Sequence, residues 1–371
     1  MRLLLHVGHA KTGTSSIQGS LAAARGPLLE AGVLYPMPPS FLPNSTNHNS
    51  LATGFGSEDR LLRGLKNKIQ GSTLTTAGIF KSYCQEIISQ IERSNPHITI
   101  ISGEALFKIL DIPESEPFVN FIKLLSSDIS VSIYTRRPSD YYLSSMQQKL
   151  KASQFIRTPR PLRIRDRIES FQRVFGKSVS LRLYDRDQLK NNDVVSDFLQ
   201  HNLPEVANKE DLVPTLHSNE GISAEGMSVL QSFRQYNFSE SEGVFNKHTN
   251  LLIETIRNIS INNNLATRAK LINEIRDFVD YSTVDLIWIR DEFGIEIPNI
   301  DYRKISPKRR GPPIEGIRVN DICQVNNLEL AKLNTLLFST AIGLTISSKG
   351  KLSAKKVARK NAGTSFLNSA I

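Results

Sequence analysis

Residues 8–16 read Gly8-His9-Ala10-Lys11-Thr12-Gly13-Thr14-Ser15-Ser16, two glycines spaced around a central lysine and followed by a run of hydroxyls. An apolar stretch, 2–7, leads into them. The phosphate-cradling pattern G-x-x-x-x-G-K-[ST] places its lysine after the second glycine and a magnesium-holding hydroxyl next to it. Here the glycines keep that spacing but Thr14 occupies the lysine position, and the loop's cation is Lys11. Backbone amides at a strand-to-helix turn still bind an anion. A cation moved to mid-loop among Thr12, Thr14, Ser15 and Ser16 suits an anionic group other than a magnesium-bound triphosphate.

Other residues that could act on such an anion follow other apolar runs. Ser102-Gly103-Glu104 comes after 97–101, Thr135-Arg136-Arg137 after 129–135, and Asp185-Arg186 after 178–184. Arginine offers forked donors to a phosphate, and Ser144, eight residues past Arg136, falls two turns into the helix that follows. Arg137 with Ser145 has the same interval and is the alternative pairing. A magnesium-dependent phosphotransferase needs a strand-end aspartate for its metal. Asp185, behind a strand interrupted by Arg182, is the one candidate.

These residues need elements to hold them. The four apolar runs alternate with helical patterns, which predicts βαβ units, a parallel sheet and an α/β fold. In such sheets ligands bind beyond the carboxyl ends of the strands, where all these candidates lie. Helices are predicted from near Ser15, over 58–69, 78–93 and 141–151, and, beyond residue 190, over 194–201, 223–236, 251–259 and 267–279. Pro138 suits a helix start, where its missing N–H costs nothing. A Pro- and Asn-rich loop spans 36–49, and loops of that length usually cover a site. One domain is expected over 1–345, its core at 1–200 and a mostly helical part at 201–345, followed by a basic, flexible tail at 346–371.

The loop His9 to Ser16, with its His6-Val7-Gly8 lead-in, resembles the 5'-phosphosulfate loop of sulfotransferases that use 3'-phosphoadenosine 5'-phosphosulfate (PAPS), in particular the bacterial carbohydrate or glycolipid branch. The Arg136 and Ser144 interval, with Pro138 two residues on, is similar to that superfamily's 3'-phosphate motif. The resemblance covers mainly 1–200. It implies a P-loop-like three-layer sandwich with a central parallel sheet and helical additions, and PAPS as co-substrate with no metal. Lys11 would contact the oxygen bridging phosphate and sulfate and stabilise the leaving group. Thr12, Gly13, Thr14, Ser15 and Ser16 would surround the 5'-phosphate, and Arg136 and Ser144 would grip the 3'-phosphate. Ser16 stands where cytosolic members carry the aromatic residue that stacks on adenine, so the adenine contacts must come from elsewhere. Transfer to a hydroxyl also requires a general base. His48 in the long loop, Glu104 after the second run and His9 within the loop are the candidates.

Composition narrows the partners. With 371 residues and 39% hydrophobic content the chain can bury a sizeable core. Two distant cysteines, Cys84 and Cys323, predict buried thiols in a reducing, cytoplasmic setting rather than a disulfide framework. No apolar run reaches the roughly 20 residues of a membrane span. Six of the ten net positive charges fall at 349–360. Clusters at Arg157, Arg160, Arg163, Arg165 and Arg167 and at Arg303, Lys304, Lys308, Arg309 and Arg310 suit an anionic glycan or glycolipid head group, or simply solvent. Neither interleaves the aromatics that stack nucleic-acid bases, so nucleic acid is not expected as a partner. The resemblance implies a sulfotransferase acting on a carbohydrate or glycolipid hydroxyl. A P-loop kinase-like phosphotransferase and a non-catalytic nucleotide- or glycan-binding protein are the alternatives.

Overall fold

The computed structural model describes residues 1–42, 46–54, 75–112, 115–207, 212–216, 221–240, 242–312, 317–343, 345–346 and 352–353. The chain folds into two compact units. The first comprises Met1–Tyr141, Arg160–Glu220 and Asp277–Arg310, and the second Tyr142–Pro159, Gly221–Arg276 and Gly311–Ile371.

The first unit is built on a five-stranded, all-parallel sheet. Its strands are β1 (Arg2–Val7), β2 (Val33–Leu34), β3 (Ile98–Gly103), β4 (Ile129–Thr135) and β5 (Val179–Leu183), in the order β2-β3-β1-β4-β5. Parallel strands covered on both faces become near-continuous apolar runs, and β1 is buried from Leu3 to Val7. Leu3, Leu5 and Val7 face one apolar cluster with Ile79, Tyr83 and Ile87, Phe118 and Phe121, Phe171, and Leu286 and Ile289. Leu4 faces the opposite cluster with Ile17, Leu21, Leu28, Val194 and Phe198. Among the described residues, the helices up to residue 293 are α1 (Thr14–Ala23), α2 (Arg25–Glu30), α3 (Thr76–Ser94), α4 (Glu116–Leu125), α5 (Pro138–Leu150), α6 (Arg165–Phe175), α7 (Val194–Asn202), α8 (Pro204–Ala207), α9 (Ala224–Asn237), α10 (Lys247–Asn262), α11 (Asn273–Ser282) and α12 (Asp285–Phe293). Of these, α3, α4, α6 and α12 cover one face of the sheet, and α1, α2 and α7 cover the other. The sheet is thus the middle of three layers, an α/β fold as expected. Each fully buried Leu or Phe side chain contributes about 2 kcal/mol.

β1 sits between β3 and β4. The chain leaves β1 toward β2 on one side and returns from β3 across it to β4. β1 therefore marks the topological switch point, where parallel sheets open a crevice at their carboxyl ends.

The four strands read from sequence are present within a residue or two. β2 is an addition to them: its two residues follow Gly32 (φ +76°) and are too short for a hydrophobic pattern. The helices α4 and α6 are likewise additions. The helix expected at 58–69 lies outside the described residues, as does most of the 346–371 tail; Thr345–Ile346 and Leu352–Ser353 pair antiparallel.

In the second unit α9 and α10 pack with Val319–Ile322 (α13) and Asn327–Ala341 (α14). Arg234 is fully buried there, donating to Ala152 O at 2.7 Å and Val244 O at 3.1 Å and stacking on Phe238.

Candidate functional site

The 8–16 loop joins β1 to α1 through two glycines that nothing larger could replace. A Cβ on Gly8 would lie 2.5 Å from Thr14 Cγ2 and 2.7 Å from its Oγ1, so the strand end and the first helical turn are in contact. Gly13 caps α1 in the left-handed region at φ +78°, and a Cβ there would meet Tyr184 and Val194 at 2.8 Å. Its carbonyl takes Ser16 N at 2.9 Å and Ile17 N at 3.1 Å, starting the helix. The amides before them have no intrahelical acceptor and point with the positive end of the helix dipole.

Lys11 is a lysine with φ +66°. A side chain in this region costs roughly 1–2 kcal/mol, and such strain collects at functional sites. Burial lowers the Lys11 ammonium below its ordinary range, with Glu104 opposing the shift and Arg136 adding to it. Glu104 behaves in mirror image: burial raises its carboxyl, while Lys11 and the Thr14 hydroxyl hold it down. A cation from the β1 loop and a carboxylate from the end of β3 therefore share a desolvated space. Thr14 Oγ1 is buried there without a well-formed hydrogen bond among the described residues. Thr12, also buried, donates its hydroxyl to His9 O and closes the turn from within. Ser15 is exposed and Ser16 buried.

At the end of β4 the two arginines separate. Arg137 binds Asp280 at 2.8 Å, and Asp280, 1% exposed, also accepts from Ser139 N at 2.9 Å and Ser139 Oγ at 3.0 Å. That arginine is committed to the scaffold. Arg136 donates to Lys11 O at 3.2 Å and lies over the Tyr184 ring at 5.4 Å, which brings it to the loop. Ser144 lies on α5 past Tyr141, within the second unit.

The three expected bases differ in what they can offer. His48 is fully buried and both ring nitrogens are used. Nε2 lies 3.1 Å from Pro36 O, and Nδ1 lies 3.2 Å from Ser102 O and accepts from Ser102 N at 3.0 Å. Burial, with help from Arg25, lowers its pKa to about 4. Backbone groups of the chain thus engage both of its ring nitrogens. His9 stacks on Tyr141 with centroids 4.4 Å apart and contacts Phe107; burial, Arg167 and Lys108 bring its pKa to about 3. Glu104 is half-buried and opens the 3-10 turn Ala105–Asp111 directly after β3.

No family model matches this sequence, and no curated protein does. Among solved structures the chain is similar to a crystal structure of a sulfotransferase from Alicyclobacillus acidocaldarius. The identity is 14%, over 59% of this chain and 87% of that one, with a TM-score of 0.27.

The remaining candidates serve local structure. Asp185 Oδ1 accepts from Asp187 N in its own turn at 3.2 Å, and no three His, Cys, Asp or Glu side chains gather to hold a metal among the described residues. Arg165 pairs with Glu169, Arg167 with Asp111 and Arg303 with Asp301, so both basic clusters are partly neutralised. No helix of the described residues is long and apolar enough to cross a membrane. Sequence reasoning missed Tyr184 and Asp280, which hold the two arginines. Tyr184 was findable, because it ends a predicted strand; Asp280 lies far away in sequence and carried no signal.

Proposed function

We propose that the chain is a sulfotransferase that moves the sulfuryl group of PAPS to a hydroxyl of a carbohydrate or glycolipid. One observation carries the reading: Lys11, in the left-handed conformation at mid-loop, shares a desolvated space with Glu104 while Arg136 reaches the same loop from β4. A mid-loop cation suits the oxygen between phosphate and sulfur. The α1 amides and the Thr14 hydroxyl suit the 5'-phosphate, and Arg136 suits the 3'-phosphate.

In this reading Glu104 takes the proton as the acceptor oxygen bonds to sulfur. The bond from sulfur to the bridging oxygen breaks, and that oxygen departs with the electron pair on 3'-phosphoadenosine 5'-phosphate (PAP). Lys11 stabilises the developing negative charge, a contribution that is large where water is excluded. The raised carboxyl of Glu104 makes it a better proton acceptor than an ordinary carboxylate, provided it is ionised when the acceptor arrives.

The test incubates the protein with labelled PAPS and fractionated glycans and lipids, alongside Lys11→Ala, Arg136→Ala and Glu104→Gln. Lys11→Ala and Glu104→Gln are expected to lose about 100-fold or more in kcat, and Arg136→Ala mainly affinity for PAP. Transfer undiminished in all three would remove the assignment. A larger thermal shift with ATP than with PAP would favour the kinase-like alternative.

A further inference from the structure

His48 and Asn49, neighbours in the long loop, hold the chain on both sides of Glu104. His48 N donates to Ser102 O at 2.7 Å and Ser102 N donates back to His48 Nδ1 at 3.0 Å. One residue beyond the glutamate, Ala105 N donates to Asn49 Oδ1 at 2.9 Å. Gly103 between them has no room for a side chain, since its Cβ would lie 2.9 Å from Asn49 Oδ1.

The loop is itself anchored from behind. His48 meets Tyr35 edge-on at 4.9 Å and Tyr83 at 6.2 Å. Tyr35 donates its hydroxyl to Thr46 O at 2.6 Å and Tyr83 to Asn47 O at 3.3 Å. Every one of these contacts is internal and needs no ligand.

We infer that His48 and Asn49 are positioning residues, a two-point clamp on Ser102 and Ala105 that fixes where the Glu104 carboxylate stands. The inference rests on the proposed role of Glu104 as base. A displacement of about 1 Å at a reacting group can cost 100-fold in rate. An unclamped 3-10 turn beginning at Glu104 would allow such a displacement. The clamp also accounts for a fully buried histidine in a loop that otherwise offers no chemistry.

The experiment measures kcat, the KM for PAPS and PAP affinity in four variants. Asn49→Ala and His48→Leu are expected to lower kcat 10- to 100-fold while PAP affinity stays within about twofold. Asn49→Asp keeps the oxygen that accepts from Ala105, and His48→Asn keeps an acceptor where Nδ1 lies. Both are expected to recover most of kcat. Because His48→Leu can fail to fold, half-buried Asn49 is the deciding position. Full kcat in folded Asn49→Ala, or equal losses in Asn49→Asp and Asn49→Ala, would overturn the clamp.

A second readout does not depend on transfer. Amide exchange at residues 103–107 and the 13C titration of the Glu104 carboxyl are expected to change in Asn49→Ala. Exchange should speed up tenfold or more and the titration should move down toward the ordinary carboxylate range. Unchanged exchange and titration would overturn the clamp even if the wild type proved to bind no PAP, an outcome that would separately remove the proposed function.

Discussion

At the residue scale the unusual choice is a lysine where the backbone favours glycine. Lys11 has φ +66°, and an L side chain there is disfavoured by roughly 1–2 kcal/mol. Replacing it with glycine should relieve that strain and with alanine should not. The greater freedom of glycine in the unfolded chain offsets part of the gain. Lys11→Gly is therefore expected to be about 1 kcal/mol more stable than Lys11→Ala, with transfer equally abolished in both. Urea midpoints together with a turnover assay check this. A glycine variant no more stable than the alanine variant would mean that the loop relaxes around the lysine and stores no strain. The sequence made the lysine's displacement within the loop legible, because glycine spacing is local information. Its backbone conformation was not legible, since the loop is closed by contacts from Tyr184 and Val194, far along the chain, and such tertiary context overrides local preference.

At the element scale the β4 to α5 turn depends on one aspartate from another part of the chain. Asp280 accepts from the Arg137 side chain, Ser139 N and Ser139 Oγ while almost wholly buried. Removing one partner of a buried charged pair typically costs about 3–5 kcal/mol, because the other is left uncompensated. Asp280→Ala is expected to cost about 3 kcal/mol and to weaken PAP binding several-fold through Arg136, the neighbour of the released arginine. Thermal melts and PAP titration measure the two effects, and a stable variant with unaltered PAP affinity would show that the turn holds itself. β1, β3, β4 and β5 were legible because strands buried on both faces need continuous apolar runs. The candidate Arg136 was legible as a strand end. The preference for Arg136 over Arg137 came from the resemblance alone, because the partner that withdraws Arg137 sits 143 residues later. The surroundings of His48 were hidden for the same reason: nothing in a polar loop shows that Pro36 and Ser102 engage both ring nitrogens.

For the molecule as a whole, buried histidines tie stability to pH. His6 and His48 are fully buried and His9 is 4% exposed. Burial lowers His6 and His9 to about 3 and His48 to about 4, from an ordinary 6.5. A group whose pKa is depressed on folding stays neutral in the native state while the unfolded chain takes up a proton, so the sign is fixed. Above about pH 6.5 neither state binds the proton and the three residues impose no pH dependence. Below it, each favours the unfolded chain by about 1.4 kcal/mol per pH unit until its native pKa is reached. Together they amount to about 4 kcal/mol per unit, and domains are typically stable by only about 5–15 kcal/mol. Urea unfolding between about pH 7.5 and 5.5 is therefore expected to show a flat region followed by a steep fall. Asp197 is buried, but Arg182 and Tyr134 outweigh that burial and hold it below the ordinary carboxylate range, so it adds a further loss only at lower pH, as its own carboxylate is protonated. His6 gives the cleanest test, since its Nδ1 pairs with Ser102 Oγ at 2.8 Å and its Nε2 has no hydrogen-bond partner among the described residues. His6→Asn keeps a group to meet Ser102 but removes the titration, so its slope below about pH 6.5 should be shallower by about one third. A slope equal to that of the wild type would mean that His6 is protonated in the native state, and that the row Ser102, His6 and Ser132 across the middle of the sheet admits a charge.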